Sequence, residues 1–225
     1  YASRFCDQAV CYKRPSEELT RLNQLEAERT LYLVDLSKYK AQLTDQKDFM
    51  PKALYKDKSS RLKMLIKSLE QVLKAIEDEM NRIIESTKIL SRQMDLLTSI
   101  DGIGRVVAMN MIIATEAFTR FDNPRQFCCY AGVAPFAYTS GSSQHSKNRV
   151  SQRACKYIKT LLHMSAVAIT HRKSGELKAY YERKVDEGKN KMTIINALRA
   201  KLVARMFAVI KRDEFYSPIL SENFC

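Results

Sequence analysis

The sequence predicts a mostly α-helical protein: long antiparallel coiled-coil helices followed by a compact helical domain with a helix-hairpin-helix-like start. Three observations carry this expectation. The 225 residues include only six Gly and five Pro, too few for a turn-rich β architecture or a collagen-like chain. Apolar residues recur at steps of three and four between Leu22 and Leu97, the spacing of a coiled-coil seam. Beyond that stretch, helix-length periodic segments alternate with breaks rich in Gly and Ser.

The first helix opens at Ser16, preceded by Pro15 and followed by Glu17 and Glu18. A hydroxyl N-cap and acids in the first turn are the usual helix-start chemistry. Leu22, Leu25, Arg29, Tyr32, Leu36, Tyr39 and Leu43 then form a seam with one charged member, and the helix should end before Pro51. A second seam runs Leu62, Leu65, Leu69, Val72, Ile76, Met80, Ile83, Thr87, Leu90, Met94 and Leu97, with a stutter between Ile76 and Met80 where the supercoil should unwind. Ordinary amphipathic helices on a globular core are the alternative; the narrowness and length of the stripe favour a coiled coil. It forms either an antiparallel hairpin or a dimer arm, and a homo-oligomer through the coiled coil is expected.

In the second half, helices are expected at about 104–118, 124–131, 151–171, 175–187 and 192–211. The polar, Ser-rich stretch from Pro135 to Val150 should be an exposed loop or short hairpin, where functional groups tend to lie.

Charge narrows the function. Lys and Arg number 38 against 25 Asp and Glu, a net charge of +13. Residues 1–97 carry 18 basic and 15 acidic side chains, residues 98–225 carry 20 and 10, so a polyanionic partner should meet the second half. Nucleic acid leads, ahead of an anionic membrane surface. No apolar run reaches the roughly 18 to 20 residues that span a bilayer, and the first residues lack a secretory pattern, so no membrane partner and a cytoplasmic location are expected. Six cysteines without a CxxC pair, and three His not spaced with them, read as free thiols and not as a zinc set. The chain begins at Tyr1 in mid-pattern and is expected to be a fragment.

Two segments could carry chemistry. Leu97 to Val107 includes Gly102, Ile103, Gly104 and Arg105, the form of a helix-hairpin-helix whose backbone N–H groups and helix N-terminus can hold a phosphate; a tight turn between packed helices is the alternative. From Asn123 to Gly175 there is no acid, while Lys147, Arg149, Arg153, Lys156 and Lys159 are among eight cations there, an arrangement that repels itself unless an anion is bound. If Ser151 opens a helix, Arg153, Lys156 and Lys159 share one side; a solvated basic face is the alternative. Within the loop, Thr139-Ser140-Gly141-Ser142-Ser143 sets a Ser hydroxyl beside a Gly among these cations, which suits attack on phosphorus, although Ser-Gly also occurs in inert loops. His145 is a weak candidate for a base.

The blocks Ser99-Ile100-Asp101-Gly102-Ile103-Gly104, Phe121 to Phe127, Tyr130-Ala131-Gly132-Val133-Ala134-Pro135, Ser140-Gly141 and Arg149-Val150-Ser151, in this order, resemble the C-terminal domain of the IS-one-ten family of bacterial insertion-sequence transposases. The helical region before them and the stretches Tyr180 to Lys184 and Asn196 to Leu202 also look like this family. The resemblance implies an N-terminal RuvC-like domain with four acids and Mg²⁺, a coiled coil, and a C-terminal domain whose nucleophilic Ser is here Ser140. It divides the chain into residues 1–15 as the tail of a missing RuvC-like domain, 16–98 as coiled coil, 99–216 as the transposase domain and 217–225 as a tail. Asp101 stands where Pro is usual, and Ala154-Cys155 where a small residue and Asn are usual.

The expected function is that of a DNA transposase or recombinase forming a phosphoserine intermediate, with DNA bound by Gly102, Ile103, Gly104, Arg105, Gly141, Lys147, Arg149, Arg153, Lys156 and Lys159. No cofactor is expected in this chain, Mg²⁺ being implied for the missing domain. The resemblance also implies a structured guide RNA as a partner. A non-catalytic helix-hairpin-helix DNA-binding module with an oligomerising coiled coil is the alternative.

Overall fold

The structure is a computed structural model that describes residues 14–134, 150 and 153–217, together with the backbone of 139–140 and 144–145. It is mostly helical, as expected. The described residues form eight helices and one two-stranded ribbon, and no helix among them is long and apolar enough to cross a membrane. The chain divides into two compact units, Tyr1–Ile83 and Ile84–Cys225.

In the first unit, α1 (Glu17–Asp45) starts as its sequence dictates, the Ser16 hydroxyl accepting the Leu19 N–H at 3.3 Å. Its chain turns through Pro51 into α2 (Lys52–Ser86), which runs back antiparallel. Lys40 pairs with Glu70, Arg29 with Glu77 and Arg21 with Glu79. The Tyr55 hydroxyl donates to the Leu43 carbonyl near the turn. The seam of α1 lies where expected, with Leu22, Leu25 and Leu36 buried and Tyr32, Tyr39 and Leu43 half-buried. Arg29 stays in the seam because Glu77 and Glu26 neutralise it.

The seam of α2 is shifted from the expected one. Leu65 and Val72 are 49% and 42% exposed, whereas Ile66 and Leu73 are buried against Leu36, Tyr32 and Tyr39. The spacing Leu62, Ile66, Leu69, Leu73, Ile76 is as good a heptad as Leu62, Leu65, Leu69, Val72, Ile76, because Leu65-Ile66 and Val72-Leu73 are adjacent apolar pairs. The anticipated stutter between Ile76 and Met80 leaves α2 unbroken; the helix instead stops at Thr87, whose backbone is extended.

The second unit is built around α8 (Lys191–Arg212), which packs on α3 (Lys88–Thr98), α5 (Pro124–Tyr130), α6 (Lys156–Thr170) and α7 (Glu176–Asp186), while α4 (Arg105–Ala114) packs on α3 and α6. Leu198, Leu202, Val203 and Met206 fill the centre. Asn123 caps α5, accepting the Gln126 N–H at 3.0 Å, and Pro124 occupies the first turn, where its missing N–H costs nothing.

The helix expected over 104–118 ends at Ala114. Glu116, Ala117 and Phe118 all adopt left-handed conformations with φ of 51°, 54° and 63°, a strained run for residues with a Cβ. It is held by the buried Thr115 hydroxyl, which accepts the Phe118 N–H, by Gln93 donating to the Ala117 carbonyl, and by the Phe118 ring edge-on to Phe207 at 5.0 Å.

Candidate nucleic-acid interface

The turn between α3 and α4 spans Ser99 to Gly104, and its two glycines serve different ends. Gly102 has φ 88°, and a Cβ there would come 2.7 Å from two side-chain atoms of Ile169 on α6. It is a packing glycine, pressed against a helix. Gly104 has nothing within 4 Å of its Cβ position and caps the N-terminus of α4, so a backbone phosphate could approach this side of the turn. Ile103 is buried, which leaves only its main chain for a ligand. Arg105 is half-exposed and pairs with Glu85 at 3.3 Å. Asp101, the departure from the family pattern, binds Arg172 at 3.0 Å, so one of the eight cations between Asn123 and Gly175 ties the turn to the end of α6.

The Ser-rich segment is closed at two levels. At its base the Cys155 N–H donates to the Tyr130 carbonyl at 2.9 Å, and a Cβ on Gly132 would meet Ala154 at 2.6 Å and Val150 at 3.0 Å. At its tip β1 (Thr139–Ser140) pairs antiparallel with β2 (Gln144–His145), Ser140 opposite Gln144 and Thr139 opposite His145. Ser140 therefore ends one strand of a hairpin, and His145 is not its pairing partner. Gly141, Lys147 and Arg149 lie outside the described residues, as does Ser151.

The remaining cations lie on the stretch that follows the base. Helix α6 begins at Lys156, not at 151, so Arg153 sits in the turn before it and does not share a helical side with Lys156 and Lys159. Arg153 and Lys156 are exposed, and Lys159 lays its aliphatic stem beside Gly132, its Cδ 3.6 Å from the Cβ position. Cys155 occupies the N-cap of α6 without a side-chain cap bond, a thiol not being among the side chains that cap helices well. Arg120 stacks over Tyr130 at 5.1 Å and over Phe121 at 5.4 Å. Burial pushes the Tyr130 hydroxyl up, Cys155 adds to this, and Arg120 opposes it. Two arginines of this unit, Arg120 and Arg199, do not stand out in the sequence. The first is signalled only by the aromatic residues around it, the second only by an Arg on the apolar side of α8.

The two expected phosphate-binding points are separate. The turn at Gly102 packs on Ile169 and the hairpin base on Lys159, ten residues apart along α6, which is about 15 Å of helix.

The segment holding both points, residues 94–182, matches the sequence profile described as Transposase IS116/IS110/IS902 family. The matched segment begins in α3 and ends in α7, and takes in the turn and both strands of the ribbon; α8 follows it. Over 147 residues, 65% of its length, the chain is 26% identical to the pilin gene-inverting protein of Moraxella bovis and 25% identical to that of Moraxella lacunata, covering 46% of each. Over 143 residues the chain is 24% identical to the insertion element IS110 uncharacterized 43.6 kDa protein of Streptomyces coelicolor, covering 34% of that protein. The match thus spans less than half the length of these relatives.

Proposed function

We propose that this chain contains the strand-exchange domain of a DNA transposase or DNA-inverting recombinase, with Ser140 as its nucleophile. The observation that carries the reading is the hairpin: within the segment that matches the transposase profile, Ser140 ends a strand of a ribbon, and the stretch that closes its base through Ala154 and Cys155 carries Arg153, Lys156 and Lys159 and is free of acids. Two relatives are named as gene-inverting proteins, which supports DNA as the substrate.

In the proposed step the Ser140 Oγ attacks a backbone phosphorus and the P–O bond to the neighbouring sugar breaks. The serine proton is lost and the departing sugar oxygen gains one. The new phosphoserine diester conserves the bond energy, and attack on it by a hydroxyl of another strand rejoins the DNA and restores the serine. Cations around the phosphate stabilise the charge that develops on its free oxygens. Mg²⁺ is implied by the family resemblance, but among the described residues no group of three or more His, Cys, Asp or Glu is placed to hold a metal ion, and no step here is routed through one.

Self-association and a structured guide RNA belong to the same reading. Leu31, Val34, Leu65 and Val72 leave apolar surface exposed on the helical hairpin, and the cation excess of residues 98–225 suits RNA as well as DNA. The seam itself is filled within one chain, so oligomers would use this outer surface.

In the protein carrying this chain, Ser140→Ala should abolish the covalent protein–DNA adduct while DNA affinity changes by no more than about fivefold, the reach of one hydroxyl. Ser142→Ala and Ser143→Ala should retain the adduct. An adduct that persists in Ser140→Ala overturns the assignment. The other reading, a non-catalytic DNA-binding module, draws on the open side of Gly104 at the start of α4 and predicts that none of these serines affects recombination.

A further inference from the structure

Arg199 is a cation in the wrong place for a structural residue. It lies on α8 beside Leu198, Leu202 and Val203 and is 6% exposed. Its Nε has no hydrogen-bond partner, and among the described residues no carboxylate pairs with it. Burial alone pulls its pKa down, with no acid opposing that shift. A buried, unneutralised guanidinium is destabilising unless something outside the fold supplies the opposite charge.

Its surroundings indicate what that is. Asn196, one turn earlier on the same side of α8, donates to the Val133 carbonyl at 2.9 Å. Helix side chains lean toward the N-terminus of their helix, which directs Arg199 toward the turn of α8 where Asn196 holds Val133. Helices α5 and α6, which flank the base of the Ser140 hairpin, both pack on α8. From Asn123 to Gly175 the chain has no acidic residue, so α5, the hairpin and α6 offer no counter-charge, and Arg153, Lys156 and Lys159 add cations to that same stretch.

We propose that Arg199 binds a backbone phosphate of DNA through its residual exposed edge at the base of the hairpin, and so positions the strand that Ser140 attacks. This rests on the reading of the hairpin as the segment that engages DNA. Arg suits the task because its planar fork can hold two phosphate oxygens at once.

The test compares the 225-residue chain with Arg199→Met and Arg199→Lys by thermal melting without DNA and by anisotropy titration of a mixed-sequence DNA duplex over a range of salt. Arg199→Met should melt at or above the parent temperature, since an apolar side chain of similar volume removes a buried charge. It should bind the duplex about tenfold more weakly, and its slope of log affinity on log salt should be shallower by about 0.9, the loss of one phosphate contact. Arg199→Lys should keep the parent's slope. The slope does not depend on the fraction of active protein, so a misfolded variant cannot imitate this result. An unchanged slope in Arg199→Met, with a lowered melting temperature, makes Arg199 a structural tie and overturns the proposal. A slope change seen with an RNA hairpin but not with the DNA duplex assigns the site to RNA and also overturns it. The Ser140 reading fails separately: an adduct surviving in Ser140→Ala, with the Arg199→Met slope still reduced, removes the nucleophile and leaves the phosphate contact standing.

Discussion

Gly102 and Gly104 look alike in the sequence, yet the fold gives them opposite tolerance. Gly102→Ala would place a methyl group 2.7 Å from Ile169 at a φ of 88°; conformational strain and overpacking together should cost about 3 kcal/mol. Gly104→Ala has open space and an ordinary φ, so only a weaker helix cap is lost, about 0.5 kcal/mol. Denaturant unfolding of the two variants checks the contrast, and equal losses would contradict the packing described for the turn. Cys128 offers a pH test. It is buried and free, and burial, with Cys129 nearby, pushes its thiol from the ordinary 9.0 up to about 11. The folded state therefore holds the proton more tightly than the unfolded chain. The stability this provides is complete below pH 9 and is lost as pH rises toward 11. Unfolding midpoints across that interval should fall less in Cys128→Ala than in the parent, and Cys128 should resist alkylation at neutral pH until the chain is unfolded.

Among the elements, α1 was legible because Ser16, two acids and a single apolar stripe agree. The register of α2 was not, since its adjacent apolar pairs support two heptads and only the partner helix chooses. Ile66→Ala and Leu73→Ala should each cost about 2 to 4 kcal/mol, whereas Leu65→Ala and Val72→Ala should stay within about 0.5 kcal/mol. Chemical denaturation of the four variants decides it, and the reverse pattern would restore the register first expected. The left-handed run Glu116-Ala117-Phe118 carries no Gly or Asn to announce it, and it depends on a buried Thr and a ring contact from distant elements. The start of α6 was misplaced for a related reason: Cys155 is a poor cap, so the residue type at the helix start gave no signal. The stretch around Ser140 reads as an exposed loop or short hairpin, and two paired strands are found there, but the choice of that serine comes from the resemblance, because the local chemistry of Ser-Gly is not distinctive. Arg199 becomes visible only once the burial of α8 is known.

For the whole molecule, the uneven charge has a measurable consequence. If residues 98–225 engage duplex DNA through four or more phosphates, the slope of log affinity on log salt should be about −3.6 or steeper. Fluorescence anisotropy of the intact chain measures it, and a slope near zero would leave the net charge of +13 without the partner proposed here. The distribution of charge was the most accessible part of the function, since it needs no fold; the separation of the two phosphate-binding points by about 15 Å along α6 needed the packing of Gly102 and Gly132.

The central place of α8 also sets an order of events on the ribosome. Helices α3, α5, α6 and α7 all close on it, yet it is the last of them to be synthesised. The antiparallel pair α1 and α2 makes its contacts between neighbours in the chain and can form early. The second unit has to wait, with its apolar surfaces uncovered, until residue 212 has left the exit tunnel. Nascent chains arrested before α8 should be cut rapidly between α3 and α7 by a protease, while those arrested well beyond it should resist.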